Sequence, residues 1–141
     1  SGAAKSLAQT YQLLWEQSEL SVLEKSHNRA CQIQVPEGKI LFGREQLTKY
    51  FNGYITAFPK GSFRVHHWIV NEEVGKNNRI AMRWSYSAKH TGFGSFGEPT
   101  GAPVVIMAIT HTEMQEGLVV REYHAIDEVS LWMQISSYSI S

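Results

Sequence analysis

From residue 78 to 135 apolar and polar positions alternate in runs separated by turn residues. Residues 79–90 and 102–114 each mix β-formers in rough alternation, so two long strands are expected on either side of the glycine-rich stretch from Thr91 to Gly101. Gln115, Glu116 and Gly117 read as a hairpin turn, residues 118–127 as a returning strand, and residues 128–135 as a short helix. Upstream, Leu7, Tyr11, Leu14 and Trp15 fall at helical spacing and predict an amphipathic helix over about residues 3–17. Ser18 opens a second, short helix that ends near His27, and residues 29–34 form a short strand broken at Pro36, Glu37 and Gly38. Residues 43–58 place Leu47, Tyr50, Phe51, Tyr54, Ile55 and Phe58 on one side of a third helix, closed by Pro59; residues 63–71 then alternate as a strand. Helices followed by a meander of four long strands argue for an α+β architecture, with the helices on one face of a strongly curved antiparallel sheet. Such a cone leaves its open end as a ligand pocket.

Composition narrows the classes of partner. With 141 residues and 43% hydrophobic composition the chain is expected to be one domain, 1–141, with a single core. Thirteen basic and thirteen acidic residues balance, and no Lys/Arg stripe interrupts the balance, so neither nucleic acid nor an anionic membrane surface is an expected partner. The longest wholly apolar run, Val104 to Ile109, falls far short of the roughly 20 residues of a membrane span. Cys31 is alone, which excludes an intrachain disulfide and fits a reducing, cytoplasmic compartment; a small buried side chain is its simplest role. Residues 1–4 carry neither an initiator methionine nor a leader core and are expected to lie outside the packed body, at a boundary from which a longer natural chain would continue. Residues 63–70 and 104–114 bear apolar side chains on both faces, which predicts a homodimer packed sheet to sheet.

Several pieces recur in one order. Gly43-Arg-Glu precedes a helix ending in Ala57-Phe58-Pro59; Arg79-Ile-Ala-Met-Arg-Trp follows, then His90-Thr-Gly with Pro99-Thr-Gly101, and finally Gly117-Leu-Val-Val-Arg-Glu-Tyr with Asp127, Leu131 and Gln134-Ile135. Together they resemble the SnoaL-like polyketide cyclases of the NTF2-like superfamily, from Tyr11 onward. Tyr123, where that family usually carries Trp, and Met133, where a basic residue is common, depart from the pattern. The resemblance implies an NTF2-like cone with three N-terminal helices packed on the concave face of the sheet. It also implies aldol-type, acid/base chemistry on a small apolar, polyketide-like carbonyl ligand, with no cofactor and no metal. Because the same cone serves many chemistries, a dehydratase or isomerase using His and Tyr, or a non-catalytic ligand-binding or dimerisation domain, stands beside that reading.

Candidate proton handlers follow. Asp127 is the only aspartate of the chain, at the end of the last strand, and the resembling cyclases place an acid/base aspartate on that strand. It is also suitably placed to cap the terminal helix, and the family position falls on either Asp127 or His124. Period-two alternation puts Glu122, His124 and Ile126 on one face of that strand, with Tyr123, Ala125 and Asp127 on the other. His111, mid-strand, is either a further candidate base, of the dehydratase type, or simply outward and solvated. His90 either orients the glycine-rich loop or touches ligand. Trp15, Tyr54, Trp84 and Met107 are expected to supply the aromatic and polarisable lining of the pocket.

Overall fold

Alternation along the meander and helical spacing upstream translate directly into the elements of the computed structural model, which describes residues 2–140. In chain order they are α1 (Gly2–Gln17), α2 (Val22–Ser26), β1 (His27–Val35), a 3-10 turn (Pro36–Gly38), β2 (Lys39–Phe42) and α3 (Gly43–Ile55). There follow β3 (Ser62–Asn71), β4 (Asn78–Lys89), β5 (Pro103–Gln115), β6 (Leu118–Ile126) and α4 (Glu128–Ile140). One six-stranded sheet, curved and unclosed, runs in the order β2-β1-β6-β5-β4-β3.

The sheet is not wholly antiparallel, as alternation alone had suggested. β3 to β6 form an antiparallel meander and β1–β2 an antiparallel hairpin, but β1 lies parallel to β6, with Ile33 opposite Glu122 and Gln34 opposite Tyr123. No local pattern announces that pairing, because it joins strands from opposite ends of the chain. β2, only four residues long, was likewise absent from the pattern, and the turn before it places Glu37 and Gly38 at positive φ. The β5–β6 hairpin is tighter: Glu116 and Gly117 both adopt positive φ, the requirement of a two-residue turn whose twist matches its strands.

α1 buries Ala4, Leu7, Tyr11, Leu14 and Trp15, and α3 buries Leu47, Phe51, Tyr54 and Ile55, which are the stripes that their spacing dictates. Both stripes close over the inner sheet face, where Ile33, Ile80, Met82, Trp84, Tyr86, Ile106 and Ile126 are buried. Gly2 already belongs to α1 and Ala4 is buried, so the packed body begins at Ala3 and Ala4; Ser1 lies outside the described residues. α3 stops at Ile55, because the amides of Ala57 and Phe58 both turn back to the Tyr54 carbonyl. The terminal helix extends beyond residue 135 to Ile140 and is tied to β5 by Gln134, whose side chain bonds the Val105 amide and carbonyl at 2.7 and 2.9 Å. Cys31 is buried without a partner thiol, and burial pushes its thiol up. Among the described residues no helix is long and apolar enough to cross a membrane.

Candidate functional site

A carboxylate stands at the centre of the interior. Glu122, on the inner face of β6, receives the Tyr11 hydroxyl of α1 at 2.5 Å, His27 Nε2 at 2.9 Å and His124 Nε2 at 3.0 Å, all on Oε1. Thr112 of β5 donates to Oε2 at 2.7 Å. All of these side chains are buried. The parallel pairing of β1 with β6 brings in His27, and the α1 stripe brings in Tyr11. Alternation along β6 turns Glu122 and His124 to the same side.

Proton counting fixes much of the network. An ionised carboxylate only accepts, so both imidazoles carry a proton on Nε2. His124 Nδ1 is then free to accept from Thr110 at 2.9 Å, and the Thr110 oxygen accepts the Trp84 indole N–H at 2.8 Å. Both ring nitrogens of His124 are thus hydrogen-bonded. On the other side His27 Nδ1 lies 2.7 Å from the Ser26 hydroxyl, which also lies 3.1 Å from the Val22 carbonyl. A serine has one proton. If it goes to Val22, His27 must donate from both nitrogens and pairs with Glu122 as an imidazolium.

Burial alone would raise the Glu122 carboxyl, but the two histidines outweigh it and hold the group well below the usual carboxylate range. Burial, reinforced by the Glu122 charge, pushes the Tyr11 phenol up, so it remains a donor. The site therefore contains a fixed negative charge, an imidazole whose Nδ1 faces a rotatable hydroxyl, and a neutral phenol. Among the described residues no group of three or more His, Cys, Asp or Glu is arranged to hold a metal. The site histidines direct Nε2 at the carboxylate and Nδ1 at hydroxyls.

Aromatic rings surround this polar floor. Phe51 meets His124 edge-on at 5.3 Å and Tyr11 at 6.0 Å, while Trp15 packs on Phe51, Tyr54, Trp84 and Tyr86 at 4.9 to 5.9 Å. Trp15 Nε1 is buried with no hydrogen-bond partner among the described residues. Nearer the surface Tyr50 donates to Tyr54 at 3.4 Å, and Tyr54 donates to Glu128 in the first turn of α4. Burial holds both phenols far above the ordinary tyrosine value, with the neighbouring Glu128 carboxylate adding to the effect.

Of the residues singled out by sequence, Trp15, Tyr54, Trp84 and His124 come together here. Asp127 does not. It is exposed, and its Oδ1 accepts the Ser130 amide at 3.0 Å, so of its two readings the structure shows the helix cap, the N-cap of α4, and the catalytic one is corrected. His111 takes the outward one of its two readings, because its parity on β5 directs it to the outer sheet face, and its place as an interior base is corrected. There it borders an open cavity of about 500 Å³ together with Tyr123, Arg79 and Arg121. Met107, on the same outer face, is half exposed and lines no interior surface. His90 is buried and organises its loop: Thr100 donates to Nδ1 from its hydroxyl at 3.0 Å and its amide at 3.4 Å. Burial keeps the His90 ring below the usual histidine value, and its Nε2 has no partner among the described residues. Glu122, His27 and Tyr11 were missed as site residues. The available signal was Glu122 itself, an acid in phase with His124 and Ile126, which demands buried partners.

The family model for SnoaL-like polyketide cyclases matches residues 5–135. The chain belongs to the SnoaL-like polyketide cyclase family. Among solved structures it is similar to TsrD from Streptomyces laurentii, at 12% identity and a TM-score of 0.79, covering 96% of each chain. It is similar to AclR from Streptomyces galilaeus, at 22% identity and a TM-score of 0.78, covering 94% of this chain and 80% of that one. IdmH from Streptomyces antibioticus is a third, at 17% identity and 0.76, covering 96% and 99%. At these identities the likeness is one of fold. No match was found among curated proteins.

Proposed function

We propose that the protein is a cofactor-independent acid/base enzyme of the polyketide (aldol) cyclase type, acting on a small apolar carbonyl compound. The observation that supports this most directly is the buried Glu122–His124 pair at 3.0 Å, facing the ring of Phe51 within an aromatic interior. Once the Thr110 hydroxyl turns aside, His124 Nδ1 takes the acidic C–H proton of the substrate, and Glu122, on Nε2, offsets the charge of the imidazolium. The carbanion adds to the carbonyl carbon, forming one C–C bond, and His124 returns the proton to the new alkoxide. Nothing is oxidised or reduced, so no cofactor is required. Asp127 and His111, placed outside the interior, have no part in this reading.

The test is hydrogen–deuterium exchange at the activated methylene of a panel of aryl-acetate esters and aryl ketones in D2O, followed by proton NMR. The wild-type protein exchanges at least one of them faster than buffer, and His124→Ala lowers that rate about 100-fold, the lower range of general-base contributions. A folded wild-type protein that exceeds buffer with none of them overturns the proposal. A second reading, a non-catalytic ligand-binding or dimerisation domain, is favoured by one observation: the interior rings of Tyr11, Trp15, Phe51, Tyr54, Trp84 and Tyr86 are buried against one another, and none of the described cavities opens onto His124.

The same reading makes the protein a homodimer through its outer sheet face. Val105, Met107 and Ile109 form an apolar row on β5 with exposures of 45%, 52% and 44%, an arrangement a solvated face does not need. Light scattering at micromolar concentration gives twice the chain mass on this view, and a clean monomer refutes it.

A further inference from the structure

Away from the aromatic interior, the outer face of the sheet holds the open cavity of about 500 Å³, bounded by Ile69 of β3 on one side and by Gln34 of β1 on the other. A twisted sheet is saddle-shaped, so a face that is convex along one diagonal is hollow along the other. Two cross-strand rows floor the hollow. In the first, Arg79, Glu113 and Arg121 stand opposite one another on β4, β5 and β6. In the second, two residues along each strand and so about 7 Å away, stand Ala81, His111 and Tyr123. Glu113 is committed elsewhere: its Oε2 accepts the Asn77 side-chain amide at 2.8 Å, and its Oε1 lies 3.8 Å from Arg121 Nε. The guanidinium of Arg79, its neighbour on the other side, has no ion pair or hydrogen bond among the described residues. The second row has its small side chain at Ala81, between Ile69 and His111, so the dent in the floor lies directly beside that guanidinium. His111 and Tyr123 meet edge to face at 6.4 Å and wall the far side of the dent.

We infer that this hollow is a second ligand site, one that takes an aromatic carboxylate, with the ring over Ala81 between Ile69 and His111 and the carboxylate on Arg79. A guanidinium fork matches a carboxylate through two parallel N–H···O bonds, and a row spacing of about 7 Å suits one ring system and the carboxylate it bears. Arg83, two residues further along β4 on the same face, adds a cation, and Arg121 adds another, against the single carboxylate of Glu113 on the two rows. The local field therefore draws in an anion although the whole chain is balanced. A second copy centred on the hollow would set like charges against each other, whereas the apolar row of Val105, Met107 and Ile109 lies farther along β5. The site does not depend on the chemistry of the interior.

Isothermal titration calorimetry with 2-naphthoate at low ionic strength tests the site, with 2-naphthamide as the uncharged counterpart. The carboxylate binds saturably, and the amide binds about tenfold more weakly or worse, the low end for one charge-assisted hydrogen bond. Arg79→Gln removes the fork and Ala81→Leu fills the dent; each changes a side chain on the outer sheet face, and each weakens 2-naphthoate binding by about tenfold or more. Either variant decides alone if the other does not fold. Proton–nitrogen NMR of the wild-type protein shows the amides of Ala81 and His111 shifting during the titration. Binding that folded variants leave intact places the compound elsewhere and overturns the inference, as does the absence of saturable binding. Equal binding of 2-naphthoate and 2-naphthamide overturns the role of Arg79. Light scattering on the same samples reads the other occupant: if Arg79→Gln changes the mass and 2-naphthoate does not bind, the hollow seats a second copy and the inference fails.

Discussion

Replacing Glu122 by Gln tests the interior most directly, because it preserves shape and removes the charge on which four donors converge. The wild-type carboxylate accepts from Tyr11, His27, His124 and Thr112. An amide keeps one accepting oxygen and turns an NH2 toward donors, so at least one partner is left without an acceptor and any imidazolium at His27 loses its counter-charge. Breaking a buried pair of this kind costs about 3 kcal/mol. For a domain of this size that corresponds to a fall of roughly 10 °C in Tm. Urea unfolding at pH 7, followed by circular dichroism, measures the difference as a lower midpoint at unchanged slope. The pH dependence adds a second constraint. The folded Glu122 carboxyl is held below its unfolded value of 4.5, so its contribution is present above that pH and is lost as pH falls toward the folded value. The gap between wild type and Glu122→Gln is therefore full at pH 6 and narrows steadily below pH 4.5. A gap under about 1 kcal/mol at pH 7 (a single ordinary hydrogen bond), or one that stays constant from pH 6 to 3, refutes an ionised hub.

Other expectations follow from single contacts. Asp127→Ala removes the cap on the Ser130 amide, costs about 1 kcal/mol in urea unfolding, and leaves any exchange activity unchanged. Gly92→Ala places a Cβ 1.8 Å from the Thr56 carbonyl oxygen, so the glycine-rich loop must lift from α3, and fluorescence of Trp132, which stacks on Phe96, shifts to the red. Trp84→Phe removes the donor to Thr110, leaves that hydroxyl freer to turn, and costs about 1 to 3 kcal/mol by thermal melting.

The α stripes and the meander were readable because each is a local periodicity: Leu7 to Trp15 repeats every third or fourth residue, and β4 to β6 alternate. Strand parity also paired Glu122 with His124 and set Asp127 on the opposite face. Val119, in phase with Tyr123 and Asp127, is nevertheless buried, because the register shifts between Glu113 and Met114. Pairing across the chain was not readable. His27 sits at the junction of a five-residue helix and a strand whose parallel neighbour lies more than ninety positions on, a separation for which a sequence carries no period. Tyr11 read as one more apolar ring on α1, since nothing in helical spacing distinguishes a phenol that only packs from one whose hydroxyl is spent on a carboxylate. Met107 failed, and His111 stayed undecided, for a simpler reason: β5 carries apolar or ring-bearing side chains on both faces, so alternation did not say which side was inward.

The convergence on a single carboxyl oxygen has a consequence for how the molecule comes apart. Its donors enter from the first helix, the first strand and the last strand, so the two ends of the chain are sewn together at one stitch. Losing either terminus therefore strands polar atoms that belong to the other, and the protein should melt as a unit, with no partly folded half able to survive the departure of its counterpart.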